Sequence, residues 1–199
     1  MYRWRKLSDE ERRATLADRL RNRHPWHRPA NFESDRTHRY LITAACYEHQ
    51  PIIGKTDDRM RQFQSDLLDT LSDRGTEIHA WCILPNHYHA LIQTEELKAL
   101  LNAIGKLHGR TSHAWNGEDE KRGRKIWHGV TERAIRSERH YFATLNYIHH
   151  NPVKHGNAEK WQDWESSSVH EFLADTGRED AKRLWREYPI LGYGDKWDP

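Results

Sequence analysis

The sequence predicts an α+β protein: a ferredoxin-like antiparallel sheet with helices on one face, flanked by an N-terminal helix and a Trp-rich C-terminal extension. Three observations predict it. β-rich runs alternate with helical ones in the order βαββαβα, two of the strands are separated only by a turn signal, and no internal repeat or low-complexity tract interrupts them.

Each element follows from local chemistry. "SDEERRATLADRLRNR" opens with Ser8 and Glu11 at capping-box spacing and reads as a helix to about Arg23. "HPWHRPANF", with Pro25 and Pro29, breaks it into an irregular connector, and "RYLITAACY" is the first strand. In "TDDRMRQFQSDLLDTLSDRG", Thr56 is the expected cap, Met60, Phe63, Leu67, Leu68 and Leu71 recur at helical spacing, and Gly75 lies past the end. "EIHAWCILP" and "HYHALIQT" are strands joined through Pro85 and Asn86 as a tight hairpin. "EELKALLNAIGKLHGRTSHAW" is helical, "GEDEKRGR" is a polar loop, and "KIWHGVTERAIR" holds a fourth strand or a bent strand pair. "SERHYFATLNYIHH" is a helix capped by Ser137 and ended by Pro152. The expected organisation is an N-terminal helix and connector over 1–37, the sheet domain over 38–156, and an extension over 157–199 that packs on it.

Composition narrows the function classes. Of 199 residues, 36% are hydrophobic and 31% charged, which means a small core and a wet surface, while nine Trp and eight Tyr argue against disorder. Cys46 and Cys82 are too few for a disulfide framework and form no CxxC pair, so reduced thiols in the cytoplasm are expected. The opening "MYRWRKLSDEERRATLADRL" has no apolar signal region, and no window approaches the ~18 apolar residues of a membrane span. Net charge is only +2, but Lys121, Arg122, Arg124, Lys125, Arg133, Arg136 and Arg139 concentrate in one stretch. Such a strip can neutralise phosphates, with Trp127 and His128 stacking on bases, and is equally the pattern of a solvated basic loop.

The run "LPNHYHALI" carries the chemistry. Residues two apart on a strand share a face, so His87 and His89 project together while Tyr88 points the other way. Two adjoining imidazoles need hydrogen bonds, solvent or a metal ion. In "LNYIHHNPVKHG", Tyr147 and Asn151 fall at i and i+4, on one helical face. The amide oxygen of Asn151 can serve a hard cation, with His150 as the other candidate third ligand, and the Tyr147 phenol can act on whatever that cation polarises. The competing readings are hydrogen-bonded strand histidines and a half-buried aromatic on an amphipathic helix. Tyr141 shares the helix but lacks an amide one turn on. For the base that takes the phenolic proton, His79, His149 and His150 stand as candidates.

"WCILPNHYHALI", "IWHGVTERAIRSERHYFATLNYIHHNPVKHG" and "WQDWESSSVHEFL" together resemble the one-tyrosine HUH transposases, specifically the REP-associated tyrosine transposases of the IS200-like superfamily. The resemblance covers about residues 38 to 173. It implies a Mg²⁺ or Mn²⁺ site at His87 and His89 with Asn151 as the helix-borne ligand, and Tyr147 as nucleophile. It further implies a single-stranded DNA substrate near REP-like hairpins, cut and rejoined through a 5′-phosphotyrosine intermediate. Arg122, Arg124, Lys125, Trp127, Arg133, Arg136 and Lys154 are the expected DNA contacts. Tyr88 is bulkier than the small hydrophobics usual between the two histidines, and nothing before about Phe32 matches a family motif. A monomer or dimer is expected, the monomer favoured, because members of this group often act alone. Two rival functions remain: a non-catalytic single-stranded nucleic-acid-binding module of the same fold, and a small metallohydrolase that activates water without a tyrosine.

Overall fold

The computed structural model describes residues 38–191 and Tyr193, with Ser8 and Glu10; the helix and connector expected before residue 38 and the last residues of the expected extension lie outside the described residues. Four strands form one antiparallel sheet: β1 (Arg39–Cys46), β2 (Glu77–Ile83), β3 (His87–Gln93) and β4 (Trp127–Ala134), in the spatial order β2-β3-β1-β4. With α1 (Asp57–Ser72) between β1 and β2, and α2 (Leu97–Glu118) between β3 and β4, this is the ferredoxin-like topology expected. "KIWHGVTERAIR" resolves into one strand, and the register opposite it slips between Ala44 and Cys46.

Period-two alternation decides what each face of the sheet meets. Tyr40, Ile42 and Ala44 of β1 and Tyr88, Ala90 and Ile92 of β3 join Phe63, Leu67 and Leu71 of α1 and Leu100, Ile104 and Leu107 of α2 in one core. The intervening residues Leu41, Cys82 and Leu91 join Leu145, Tyr147 and Ile148 of α3 (Glu138–Lys154) in a second core on the other face. Both faces are therefore covered: α1 and α2 on one, α3 and the C-terminal pieces on the other. Two expected caps form. Thr56 Oγ1 accepts from the Arg59 amide and Ser137 Oγ from the His140 amide. α3 runs through Pro152 to Lys154, where the sequence predicted a stop at the proline. In the last turn a proline forfeits only its own amide bond, and the His155 amide still reaches the Asn151 carbonyl at 3.1 Å.

The hairpin turn sits where expected, the Leu84 amide donating to the His87 carbonyl at 2.8 Å. Gly54 packs on it so closely that a Cβ there would lie 2.6 Å from Pro85 Cβ, and its amide donates to the Pro85 carbonyl. The outer edge of β2 is closed by Ser166–Ser168, which exchange backbone hydrogen bonds with Trp81 and Ile83. Beyond that edge lie α4 (Val169–Thr176) and α5 (Arg178–Glu187). No described helix is long and apolar enough to cross a membrane.

Candidate active site

His87 and His89 stand on the α3-facing side of the central strand β3, their ring centroids 5.0 Å apart. Their outer nitrogens are fixed from behind. Thr43, opposite His89 in the β1 register, places Oγ1 2.8 Å from His89 Nδ1. Asn86 Nδ2 donates to the His49 carbonyl, which turns Asn86 Oδ1 toward His87 Nδ1 at 2.7 Å. A carbonyl oxygen only accepts, so His87 Nδ1 carries the hydrogen and a neutral His87 presents a lone pair at Nε2.

α3 delivers the other two groups. Tyr147, fully buried, brings its hydroxyl 3.4 Å from His89 Nε2, and Asn151, one turn later, brings Oδ1 2.9 Å from His87 Nε2. His87 Nε2 and Asn151 Oδ1 thus meet at hydrogen-bond distance, the ring donating when it is protonated at Nε2, while Asn151 Nδ2 is buried without a hydrogen-bond partner. Rotating that amide would pair Nδ2 with His87 and turn the carbonyl away. The donor set of two imidazoles and an amide oxygen fits a divalent ion. Among the described residues no group of three His, Cys, Asp or Glu is placed to hold a metal ion.

Charge surrounds the phenol. Lys154 Nζ lies 5.1 Å from the Tyr147 ring centroid. Arg133, opposite Leu41 and hence on the same face, is pushed down by burial and held up by the Tyr193 and Tyr147 phenols. The Tyr193 ring packs edge-on to Tyr147, centroids 5.5 Å apart.

Several expected residues stand elsewhere. Trp127 is 7% exposed and packs among Phe63, Trp115 and His108 with its indole N–H on Thr111, so it is a core residue and no base platform. Arg124 is engaged inward by Asp119 Oδ2 at 2.6 Å and by Asn116. That carboxylate also binds Lys55 and Arg59, whose guanidinium above all holds it well below the usual carboxylate range. Arg122, Lys125 and Arg136 are exposed, with Lys125 over the Tyr47 ring. The basic loop adjoins the His87 end of the sheet: the Tyr47 amide bonds the Ile126 carbonyl and the Cys46 amide bonds the Asn86 carbonyl. Tyr141 lies against His79 and Arg39. His149 is buried on Ser168 and pushed down to about 3, and His150 rests on Trp185.

Thr43, Asn86 and His155 are the residues that pattern reading missed. His155 packs edge-on to His87, centroids 4.8 Å apart. Its signal was present, since His155 continues the i, i+4 series from Tyr147 through Asn151; Thr43 shares a face with Leu41 by the same period-two rule that paired the histidines.

Comparison with known proteins bears on this geometry. The model of the family described as "Transposase IS200 like" matches residues 34–151 of the 199. The chain belongs to the IS200-like transposase family. The transposase is 33% identical over 131 residues to the REP-associated tyrosine transposase of Escherichia coli K12, covering 63% of this chain and 68% of that one. It is 32% identical over 123 residues to a Haemophilus influenzae protein designated a REP-associated tyrosine transposase, covering 57% and 70%. In fold it is similar to a solved REP-associated tyrosine transposase bound to a REP hairpin, with a TM-score of 0.55 and 23% identity over 69% of this chain and 80% of that chain. Family and relatives are tyrosine transposases, and the transposase is accordingly an enzyme.

Proposed function

We propose that this chain is a metal-dependent single-stranded DNA endonuclease and strand transferase that acts beside REP-like hairpins through a 5′-phosphotyrosine at Tyr147. The observation that carries the reading is the meeting of Tyr147 and Asn151, from one helical face, with His89 and His87 from one strand face.

His87, His89 and Asn151 would hold Mg²⁺ or Mn²⁺. When bound, the ion supplies positive charge against a non-bridging phosphate oxygen and against the charge that develops in displacement. The residues do the rest. Thr43 and Asn86 hold the planes of the two imidazoles, and the Asn86 carbonyl selects the Nδ1–H form of His87. α3, packed along β2 and β3, holds the phenol against rotation, so the nucleophile is delivered already oriented. The Tyr147 oxygen bonds phosphorus as the bond to the 3′ oxygen breaks. The phenol loses one proton and the departing 3′ hydroxyl gains one, so the exchange consumes no water and reverses on rejoining. Arg122, Lys125 and Arg136 on the surface, with Lys154 and Arg133 beside the phenol, are suited to phosphates of the incoming strand. Tyr147 and both imidazoles belong to one chain, which supports action as a monomer, and the reduced thiols and absence of a membrane-crossing helix among the described residues support a cytoplasmic setting.

The test incubates the protein and Mn²⁺ with labelled single-stranded DNA carrying hairpins from the gene's own flanks. A protein–DNA band that survives denaturation is expected for wild type and absent for Tyr147→Phe. A band that persists in Tyr147→Phe overturns the nucleophile.

A further inference from the structure

The first residue of β1 carries a cation that the protein holds in place without neutralising it. Arg39 Nε donates to Gln93 Oε1 at 2.8 Å, the two residues being partners in the β1–β3 register, and the guanidinium lies 5.2 Å from the centroid of the Tyr141 ring. Arg39 is half-buried, and its two terminal guanidinium nitrogens have neither a hydrogen bond nor an ion pair among the described residues. An arginine clamped at Nε and laid on a ring keeps those two nitrogens aimed as a fork, the shape that meets a phosphate with parallel N–H donors.

Its surroundings are open and lie on the face that carries the phenol. Arg39, Leu41 and Thr43 alternate to the α3 side of β1, so the guanidinium shares that side of the sheet with His89 and Tyr147. Beside it is a cavity of about 410 Å³ lined by Arg39, Ile135, Ser137, Glu138, Tyr141 and Phe142. Tyr141 precedes Tyr147 by six residues on α3, about 9 Å along the axis. The aromatic rings there are already engaged, Tyr141 by Arg39 and Phe142 by a stack on Tyr188, so the cavity offers charge and no free platform for a base. The charges nearby are Arg39, Arg136 and Arg139 against Glu138 and Glu77, and both carboxylates are exposed. His79, edge-on to Tyr141, is pushed down by burial and adds no charge at neutral pH.

We propose that Arg39, held by Gln93 and Tyr141, binds a backbone phosphate of the single-stranded DNA, distinct from the phosphate attacked by Tyr147. The inference rests on the function proposed above and adds a subsite to it. Placed at the start of α3, the contact sets the direction in which the strand leaves the phenol, along the helix toward Ser137. It reads charge and position, and carries no base sequence.

The probe is a DNA hairpin with single-stranded arms, titrated with Mn²⁺-loaded wild type and Arg39→Gln over a range of salt concentrations. Loss of one single-stranded phosphate contact should lower the slope of log affinity against log salt by about 0.7 and weaken binding roughly tenfold. A methylphosphonate, which removes one backbone charge, is then walked along the arms. At one position the loss of affinity seen with wild type is expected to vanish in Arg39→Gln. Equal salt slopes with matching methylphosphonate profiles in the two proteins overturn the site. Should Arg39→Gln fail to fold, phenylglyoxal modification of wild type, read by mass spectrometry, decides. Protection of Arg39 by the DNA supports the site, and equal modification with and without DNA overturns it. The adduct assay is read separately. A covalent band with equal slopes removes the subsite alone, and a lowered slope without any band contradicts the catalytic reading while the phosphate site stands.

Discussion

One strand, β3, feeds two opposite chemistries. On the α1/α2 face, Tyr88 is buried with its hydroxyl 3.1 Å from His108 Nε2, His108 stacks on Trp127 at 4.0 Å, and Trp127 donates to Thr111. Those polar atoms on that face find protein partners. On the α3 face, His87 Nε2 meets Asn151 Oδ1 at 2.9 Å, a contact that closes only when the ring is protonated there, and the Asn151 amide nitrogen has no partner. Stability is served by closing hydrogen bonds, whereas binding a cation requires imidazole nitrogens and oxygens that can give up such bonds to it. The bulky Tyr88 between the histidines belongs to the first chemistry and leaves the second untouched.

The contrast can be broken from either side. His89→Ala should reduce adduct formation by about 10³-fold or more, because charge stabilisation at the site is worth several kcal/mol, while the melting temperature holds. A variant that still forms adduct at near wild-type rate removes His89 from the site. On the opposite face, Trp127→Ala should cost about 3–5 kcal/mol of stability, read by urea unfolding, with adduct formation per folded molecule unchanged. Loss of the reaction in folded Trp127→Ala would show that the faces are coupled.

Acid offers a graded test on both faces at once. His108 on one and His149 on the other are each pushed by burial to about 3, against an ordinary value of 6.5. The unfolded chain then binds more protons than the folded one below about pH 6.5, so stability is full above that pH and falls as pH drops toward 3, by up to about 1.4 kcal/mol per unit for each histidine. Melts between pH 8 and pH 4 should show this decline, and a flat profile contradicts neutral burial of both rings. The smallest effect expected is Tyr88→Phe, which removes the hydroxyl bonded to His108 and should cost about 1 kcal/mol with no change in adduct yield.

The sheet order, both sampled helix caps and the hairpin were legible because each rests on local rules: period-two alternation, an oxygen-bearing residue ahead of an apolar helix, a Pro-Asn turn. So was the meeting of Tyr147 and Asn151 with His87 and His89, once the amide one turn on chose Tyr147 over Tyr141 and the family resemblance favoured Asn151 over His150. What pattern could not supply was partner choice. Trp127 read as a base platform because it sits in a basic stretch, yet strand alternation turns it toward Phe63 and His108. Arg124 read as a phosphate contact, yet the buried Asp119, distant in pattern but adjacent in space, holds it. Thr43 and His155 escaped notice because their importance depends on which residues lie across the sheet and beyond the proline.

The most direct measurement concerns the cation itself. Mn²⁺ binding followed by electron paramagnetic resonance, in wild type, Asn151→Ala and His87→Ala, should reveal one tight site in wild type with imidazole nitrogen coupling, weakened in Asn151→Ala and without tight binding in His87→Ala. Undiminished tight binding in both variants would place the metal elsewhere and contradict the assignment of His87, His89 and Asn151 as its ligands.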